Sequence, residues 1–424
     1  MRGGLIAAEP AIAPLAGMDR LNGPDRRPVC VALSGGGDSL ALLHLVKTWA
    51  DGARRRLIAL TVDHALQPAS AEWTRFAAER AERLGVTHHS LTWLGTKPSS
   101  GLPAAARAAR HALLADAARL AGARVILIAH TADDLLEAEL MRRAGANTPS
   151  PRLWAPSPAW PQGRGVFLLR PLLCHRRTDL RAWLSALGER WIEDPANDDP
   201  RSARTLARRC LQGRKATATS PSDRNPPTGW ELVREGFGGE LTAPRDVFRA
   251  DAEDARKLVG VLALCAAGTT RPASTSALDR ILAHLGGKLD FTATLAGARI
   301  EARSAEVLFC REAGERTRGG LLAMTPPVGE SVFDGRFVIA ARDADFRVVP
   351  LRGLAAKLAP AERRGLKQIP AAARGALPAL VSPYGDVTCP ILTPNSPVSA
   401  APLGLARLHG ALGIIRDEKS ATHA

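Results

Sequence analysis

The stretch VALSGGGDSLALLHL, residues 31–45, restricts the fold of this chain more than any other: an apolar run, a triple-glycine turn between serines, then a stretch of helical period. It opens a regular alternation. The strand-like runs PVCVALS, LIALTVD, HHSLTW and RVILIAH are separated by helical patterns over Asp38–Trp49, Glu72–Leu84 and Pro103–Ala121, and a fourth helix is expected over Asp133–Arg143. Strands alternating with helices predict an α/β fold, a parallel sheet covered by helices on both faces. In such sheets ligands bind beyond the carboxyl ends of the strands, which is where the glycine turn falls.

Gly35, Gly36 and Gly37 reach backbone angles closed to other residues and let a ligand approach the main chain. Free N–H groups and the positive end of a helix dipole converge on such a turn, so it is an anion site suited to phosphate. Ser34 and Ser39 add hydroxyls. Asp38 has two readings that the sequence leaves open, a ligand for Mg²⁺ beside the phosphates or a cap for the helix that starts there. The turn lacks the Gly-Lys-Ser/Thr ending of a Walker loop and the G-x-G-x-x-G dinucleotide fingerprint.

A second cluster lies at the end of the fourth strand. In AHTADDLLEAEL, His130, Asp133, Asp134 and Glu137 share one helical face, and Leu140, Met141 and Ala144 continue it as an apolar stripe. Three carboxylates crowded above a buried stripe need a cation or an ammonium group to neutralise them. The alternative is an acidic, solvated first turn, which helix dipoles favour in any case.

Downstream the texture changes. Residues 145–165 are too rich in Pro and Gly for a helix and read as a long loop. LLRPLL and a helix over Thr178–Leu187 restore order, and residues 201–215 carry six bases and no acid. The expected layout is a disordered tail over 1–26, a nucleotide-binding catalytic domain over 27–215, a linker over 216–228, a mixed middle domain over 229–325 and an α+β C-terminal domain over 326–424.

With 57 Lys and Arg against 42 Asp and Glu, the formal charge of +15 draws polyanions to the surface. Aromatics at 4% argue against a single-strand binder built on stacking platforms. The six cysteines have no zinc or redox spacing, no apolar run reaches the length of a membrane span, and the amino terminus lacks a signal pattern. A soluble, cytoplasmic protein is expected.

Ser34-Gly35-Gly36-Gly37-Asp38-Ser39 after a first strand resembles the PP-loop of the ATP pyrophosphatases, whose fold is the adenine-nucleotide α-hydrolase-like sheet. With TVDHALQPASAEW (61–73), AARAARHALL (105–114), AHTADDLLEAEL (129–140) and EDPANDDPRSARTLARR (193–209), the set resembles the tRNA(Ile)-lysidine synthetase family over about residues 27–210, in the family's order. SVFDGRF (331–337) is similar to a strand in that family's C-terminal region. The chain departs from the family pattern at Gln67, His111, Ala138 and Thr205, where Arg, Tyr, Thr and Asn are usual, and RRAGAN (142–147) replaces an Arg-Gly-Ser-Gly loop.

The resemblance implies ATP and Mg²⁺ as cofactors, free L-lysine and tRNA(Ile) with a CAU anticodon as partners, no membrane, and a homodimer as one assembly. It implies that Ser34, Gly35, Gly36, Gly37, Asp38, Ser39 and Asp63 bind ATP, that Asp38 holds the metal, and that Asp134 and Glu137 bind lysine. Asp38, Arg110, His130, Asp134 and Glu137 would carry the reaction, and Arg204, Arg208 and Arg209 would hold tRNA. For the arginine run a solvated helix face is the alternative. Arg107 reads equally as a surface arginine, and His64 as a strand-end hydrogen bond. Two rival functions are another PP-loop tRNA-modifying enzyme, such as a tRNA thiolase, and a non-catalytic RNA-binding protein. The first calls for cysteines near the site, often a CxxC pair, which the chain lacks.

Overall fold

The computed structural model describes residues 12–23, 26–146, 148–194, 203–211, 225–316, 320–342, 345–393, 396 and 398–423. Asn197, Asp199, Arg201, Arg214, Lys215 and most of the expected 216–228 linker lie outside the described residues. Contacts divide the chain into two compact units, 1–224 with 415–424, and 225–414.

In the first unit, β1 (Val29–Ala32) occupies the middle of a sheet because its side chains are apolar on both faces. Val29 and Val31 enter one core with Leu40, Leu43, Val46 and Leu57, whereas Cys30 enters a second with Ile58, Leu60, Leu114 and Ile126. Complete burial of a side chain such as Leu43 stabilises by roughly 1.5–3 kcal/mol. The following elements are α1 (Gly37–Gly52), β2 (Leu57–Asp63), α2 (Ser70–Arg83), β3 (Thr87–Thr92), α3 (Leu102–Leu120), β4 (Val125–Leu127) and α4 (Ala132–Arg143). Then come β5 (Trp154–Pro156), β6 (Phe167–Leu169), α5 (Arg177–Ala186) and α6 (Ala203–Leu211). The strand order is β3-β2-β1-β4-β6-β5. β1 pairs in parallel with both β2 and β4, so the order reverses at β1 and the crevice opens beyond its carboxyl end.

Three features depart from the sequence reading. The 145–165 stretch contains β5, an edge strand antiparallel to β6, with Trp154 stacked on Phe167 at 5.2 Å. Residues 12–23 of the expected tail are packed, not free: Leu21 is buried, and Ile12, Leu15 and Met18 lie against the first core. The end of the chain also belongs to this unit. Glu418 forms a two-point ion pair with Arg55 at 2.8 and 2.9 Å, and the Trp154 indole N–H donates to the Ile415 carbonyl at 2.9 Å.

The second unit contains two hydrophobic clusters. One joins the sheet β7-β8-β11-β10-β9 (Arg234–Glu235, Leu241–Pro244, Glu306–Arg311, Ala298–Ala302, Phe291–Leu295) to α7 (Ala252–Ala267) and α8 (Thr275–Gly286). The other gathers β12 (Gly329–Phe333), β13 (Phe337–Ala341), β14 (Arg347–Pro350) and β15 (Pro378–Val381). We retain the division near residue 325 as a proposal, since the two clusters part close to it, although Leu408 and Leu412 return to the first cluster. Within SVFDGRF, β12 and β13 form a hairpin, and Asp334 in its turn receives Arg311 at 3.1 Å and Arg336 at 2.7 Å.

Candidate active site

The glycine turn lies between β1 and α1, as the sequence suggests. Gly35 sits at φ +80°, and a Cβ there would lie 2.6 Å from the Ile192 Cδ1 atom, so both conformation and contact demand glycine. The Ile192 N–H donates to the Gly35 carbonyl at 2.9 Å, and Trp191 covers Gly37. The loop braces itself through its serines. The Ser39 hydroxyl donates to the Gly36 carbonyl at 2.9 Å and lies 3.1 Å from the Ser34 hydroxyl, while the Ser34 N–H donates to Ser39 Oγ at 3.2 Å. Gly36 precedes the first turn of α1, whose free N–H groups make the turn an anion cradle.

This cradle opens into a cavity of about 1410 Å³ that is lined also by Asp63, Arg110, His130, Asp134, Glu137, Arg204, Arg208 and Arg209. Every expected site residue except Gly35, which is buried beneath the turn, lines that one cavity. Asp134, in the first turn of α4, takes part in a capping arrangement, its Oδ2 accepting from the Thr131 N–H at 2.7 Å and from the Thr131 hydroxyl at 3.1 Å. One turn on, Glu137 is 1% exposed.

Arginines supply the cation that three crowded carboxylates require. Arg177, the first residue of α5, donates to Asp38 Oδ2 at 2.9 Å and to Glu137 Oε1 at 3.1 Å, and lies 3.6 Å from Asp134. Arg204 donates to Asp134 Oδ1, and to Glu137 Oε2 at 2.7 Å. Arg208 reaches Glu137 Oε1 at 2.8 Å. Arg204 and Arg208 are thus ion-paired within the cavity and partly exposed, whereas Arg209 of the expected tRNA-binding trio is exposed. Asp133 points elsewhere: it accepts from the Arg177 backbone N–H at 2.7 Å and from Arg176 at 2.9 Å, fixing the start of α5. Burial pushes the Asp133 pKa up, but the Arg176 and Arg177 hydrogen bonds and charges outweigh it and hold the group below its ordinary value. For Asp38, burial outweighs Arg177, and the pKa is raised.

Other residues lining the cavity are basic. Burial, with Arg107 and Arg204 nearby, pushes Arg110 down to about 10. Burial, followed by the charges of Arg170, Arg204, Arg107 and Arg110, holds His130 well below the ordinary imidazole value. His130 is therefore neutral. Arg170 Nε donates to His130 Nδ1 at 2.9 Å, which leaves the ring proton on Nε2. Asp63 Oδ1 accepts from the Ala65 N–H at 2.7 Å, fixing the turn after β2. His64 meets Trp93 edge-on at 6.2 Å.

Sequence reasoning missed Arg177, Arg176 and Arg170. One signal was available, because two consecutive arginines opening a helix oppose its dipole and mark partners elsewhere in the fold. For Mg²⁺, the relevant observation is Asp38 Oδ1, which is buried with no hydrogen-bond partner. Among the described residues no group of three or more His, Cys, Asp or Glu is placed to hold a metal, and no helix is long and apolar enough to cross a membrane.

A self-braced glycine turn at the reversal of a parallel sheet, feeding a cavity lined by acidic and basic side chains, defines a PP-loop domain, and residues 16–214 match the family model described as PP-loop domain. The chain belongs to the tRNA(Ile)-lysidine synthase family. It is 46% identical to the tRNA(Ile)-lysidine synthase of Caulobacter vibrioides over 87% of either chain, and 34% identical to that of Mesorhizobium japonicum over 87% of this chain and 86% of the relative. Among solved structures, a tRNA thiolase from Methanococcus maripaludis covers 46% of this chain and 68% of its own at 18% identity and a TM-score of 0.39, too loose a likeness to bear on chemistry.

Proposed function

We propose that the chain joins L-lysine to carbon 2 of the wobble cytidine of tRNA(Ile) with a CAU anticodon, consuming ATP and releasing AMP and pyrophosphate, in the cytoplasm. The observation that carries this reading is the single guanidinium of Arg177 bridging Asp38 beside the phosphate turn and Glu137 in the acidic cluster. A phosphate site and an ammonium site thereby lie within one side chain's span. The names of the relatives supply the substrate, and the basic surface suits a polyanion.

The cytosine carbonyl oxygen attacks the α-phosphorus, the bond to the bridging oxygen breaks, and pyrophosphate leaves toward Ser34, Gly35, Gly36, Gly37, Asp38 and Ser39. The lysine amine then adds to carbon 2 and loses a proton, and AMP departs with the former carbonyl oxygen. Asp134 and Glu137 receive the ammonium groups, exchanging them for Arg204 and Arg208, and one of the two accepts the amine proton. Arg110 brings positive charge to the α-phosphate, and His130 brings a neutral Nε2–H donor. Asp63 shapes the turn against the adenosine end. Arg209 meets tRNA phosphate, and Arg204 and Arg208 do so only after leaving the carboxylates.

Mg²⁺ takes one or two carboxylates together with phosphate oxygens, and the unpaired Asp38 Oδ1 fits that role. Bound there, the ion would neutralise charge on the departing pyrophosphate. Incubation with ATP, radiolabelled lysine and total tRNA tests the proposal. Label entering RNA only when ATP is present is the expected result, and ATP-independent labelling or none at all refutes it.

A further inference from the structure

Seven of the eight tryptophans have interaction partners within the protein. Trp49 meets Arg55, Trp93 meets His64 and Lys97, Trp154 stacks on Phe167, and Trp183 meets His44. Trp191 donates to Glu193, Trp230 meets His409, and Trp160 is engaged as well. Trp73 is different. Among the described residues its ring has no stacking, cation or hydrogen-bond partner, and it belongs to no hydrophobic cluster.

Its position gives this vacancy a meaning. Trp73 lies in the first turn of α2 and lines the catalytic cavity, half-buried, with Leu66 (42% exposed), Gln67, Ser70 and Thr74 beside it. One turn further along the same face, Phe76 is already in use, packed on Gly35 and under the Arg80 guanidinium at 4.7 Å. Among the described residues Trp73 is the one Trp, Phe or Tyr that lines the cavity, in a chain with 4% aromatics. Buried Leu60 and Leu114, with half-buried Ile128 against them, give the cavity an apolar part that offers the adenine of ATP a floor of its own. Trp73, half-buried, stands beside exposed Leu66 and Gln67, on the side from which a polynucleotide would enter. An indole left without a partner at the mouth of such a cavity is suited to stacking against a π-face.

We propose that Trp73 is a stacking platform that holds a nucleobase of the RNA substrate at the mouth of the active site. The proposal rests on the RNA-modifying reading above and adds a substrate-positioning residue to it. Base stacking on an aromatic side chain corresponds to about 5- to 150-fold in affinity. In steady-state lysine incorporation with a tRNA transcript, Trp73→Ala should raise the KM for RNA by a factor in that range. The KM for ATP and the melting temperature should stay as in the unsubstituted chain, and Trp73→Phe should restore most of the loss. Tryptophan fluorescence gives an independent readout: the quench on adding transcript alone should shrink in Trp73→Phe, and any quench on adding ATP alone should not.

A rise in the KM for ATP in place of RNA would show that the ring holds adenine, and would overturn the proposal. So would unchanged constants for both substrates, or a lowered melting temperature with no rescue by Phe, which would make the ring part of the packing. If the unsubstituted chain incorporates no lysine, the reaction assignment fails by itself, and the transcript-dependent quench still decides the role of Trp73.

Discussion

Arg311 and Arg336 close on Asp334 in the second unit, where all three side chains are at most 8% exposed. In the first unit Arg177, Arg204 and Arg208 close on Asp38, Asp134 and Glu137, yet these arginines remain 18%, 41% and 28% exposed. Both clusters satisfy buried carboxylates with guanidinium groups, and they differ in what the guanidiniums see. Those on Asp334 also donate to the Gly297, Gly320 and Ala376 carbonyls and have nowhere to go. Those on Glu137 face a cavity, so another cation can take their place without leaving a charge stranded in a dry interior. A closed cluster shapes a turn, and an open one is suited to exchanging its cations.

The same amide-for-carboxylate change should therefore have opposite consequences at the two places. Asp334→Asn leaves buried Arg336 without an ion-paired carboxylate among the described residues and Arg311 with Glu315 alone, at 3.4 Å. Urea unfolding should record a loss of about 3–5 kcal/mol, with the KM for ATP of the folded fraction unchanged. Glu137→Gln should lower lysine incorporation by about 10²- to 10³-fold and move the urea midpoint far less than Asp334→Asn does. Equal losses of stability in the two variants would erase the distinction between the clusters. Arg208→Gln probes it more finely. If Arg208 occupies the place of the substrate ammonium, the KM for lysine should fall by up to about fivefold, whereas a rise would mean that Arg208 holds the amino acid.

What was legible in the sequence was local. The run from β1 through α4 follows from side-chain period and the glycine turn, and the structure places these elements close to the expected bounds. Of the quartet read as one helical face, Asp134 and Glu137 share the arginines of the cavity, whereas His130 precedes α4 and Asp133 turns to the start of α5. What escaped depends on pairings distant in sequence. Trp154–Pro156 becomes a strand only because β6 offers it an edge, and the Pro and Gly around it read as a loop. Glu418 finds Arg55 across 363 residues, a separation that carries no periodic trace. Arg177 was passed over because its carboxylates lie on α1 and α4, although the excess of acid on α4 already called for a cation.

The smallest expected effect separates two neighbouring aspartates by sign. Asp133 is held below the ordinary carboxylate value of 3.8, because Arg176 and the Arg177 N–H outweigh its burial. Its contribution to stability is thus fully present above 3.8, and it fades as pH falls from there through the depressed folded value, since the unfolded chain takes up its proton first. Asp38 is raised above 3.8 because burial outweighs Arg177. On acidification the folded state protonates first, so Asp38 gains stability as pH falls from its raised value toward 3.8 and contributes no further change below both. Urea unfolding at a series of pH values from neutrality down to 3 reads both. Asp133→Asn should flatten the loss of stability below 3.8, and Asp38→Asn should remove a gain just above it. Changes of the same sign in the two variants would mean that Arg177 is shared between the aspartates rather than committed, by its backbone to one and by its guanidinium to the other.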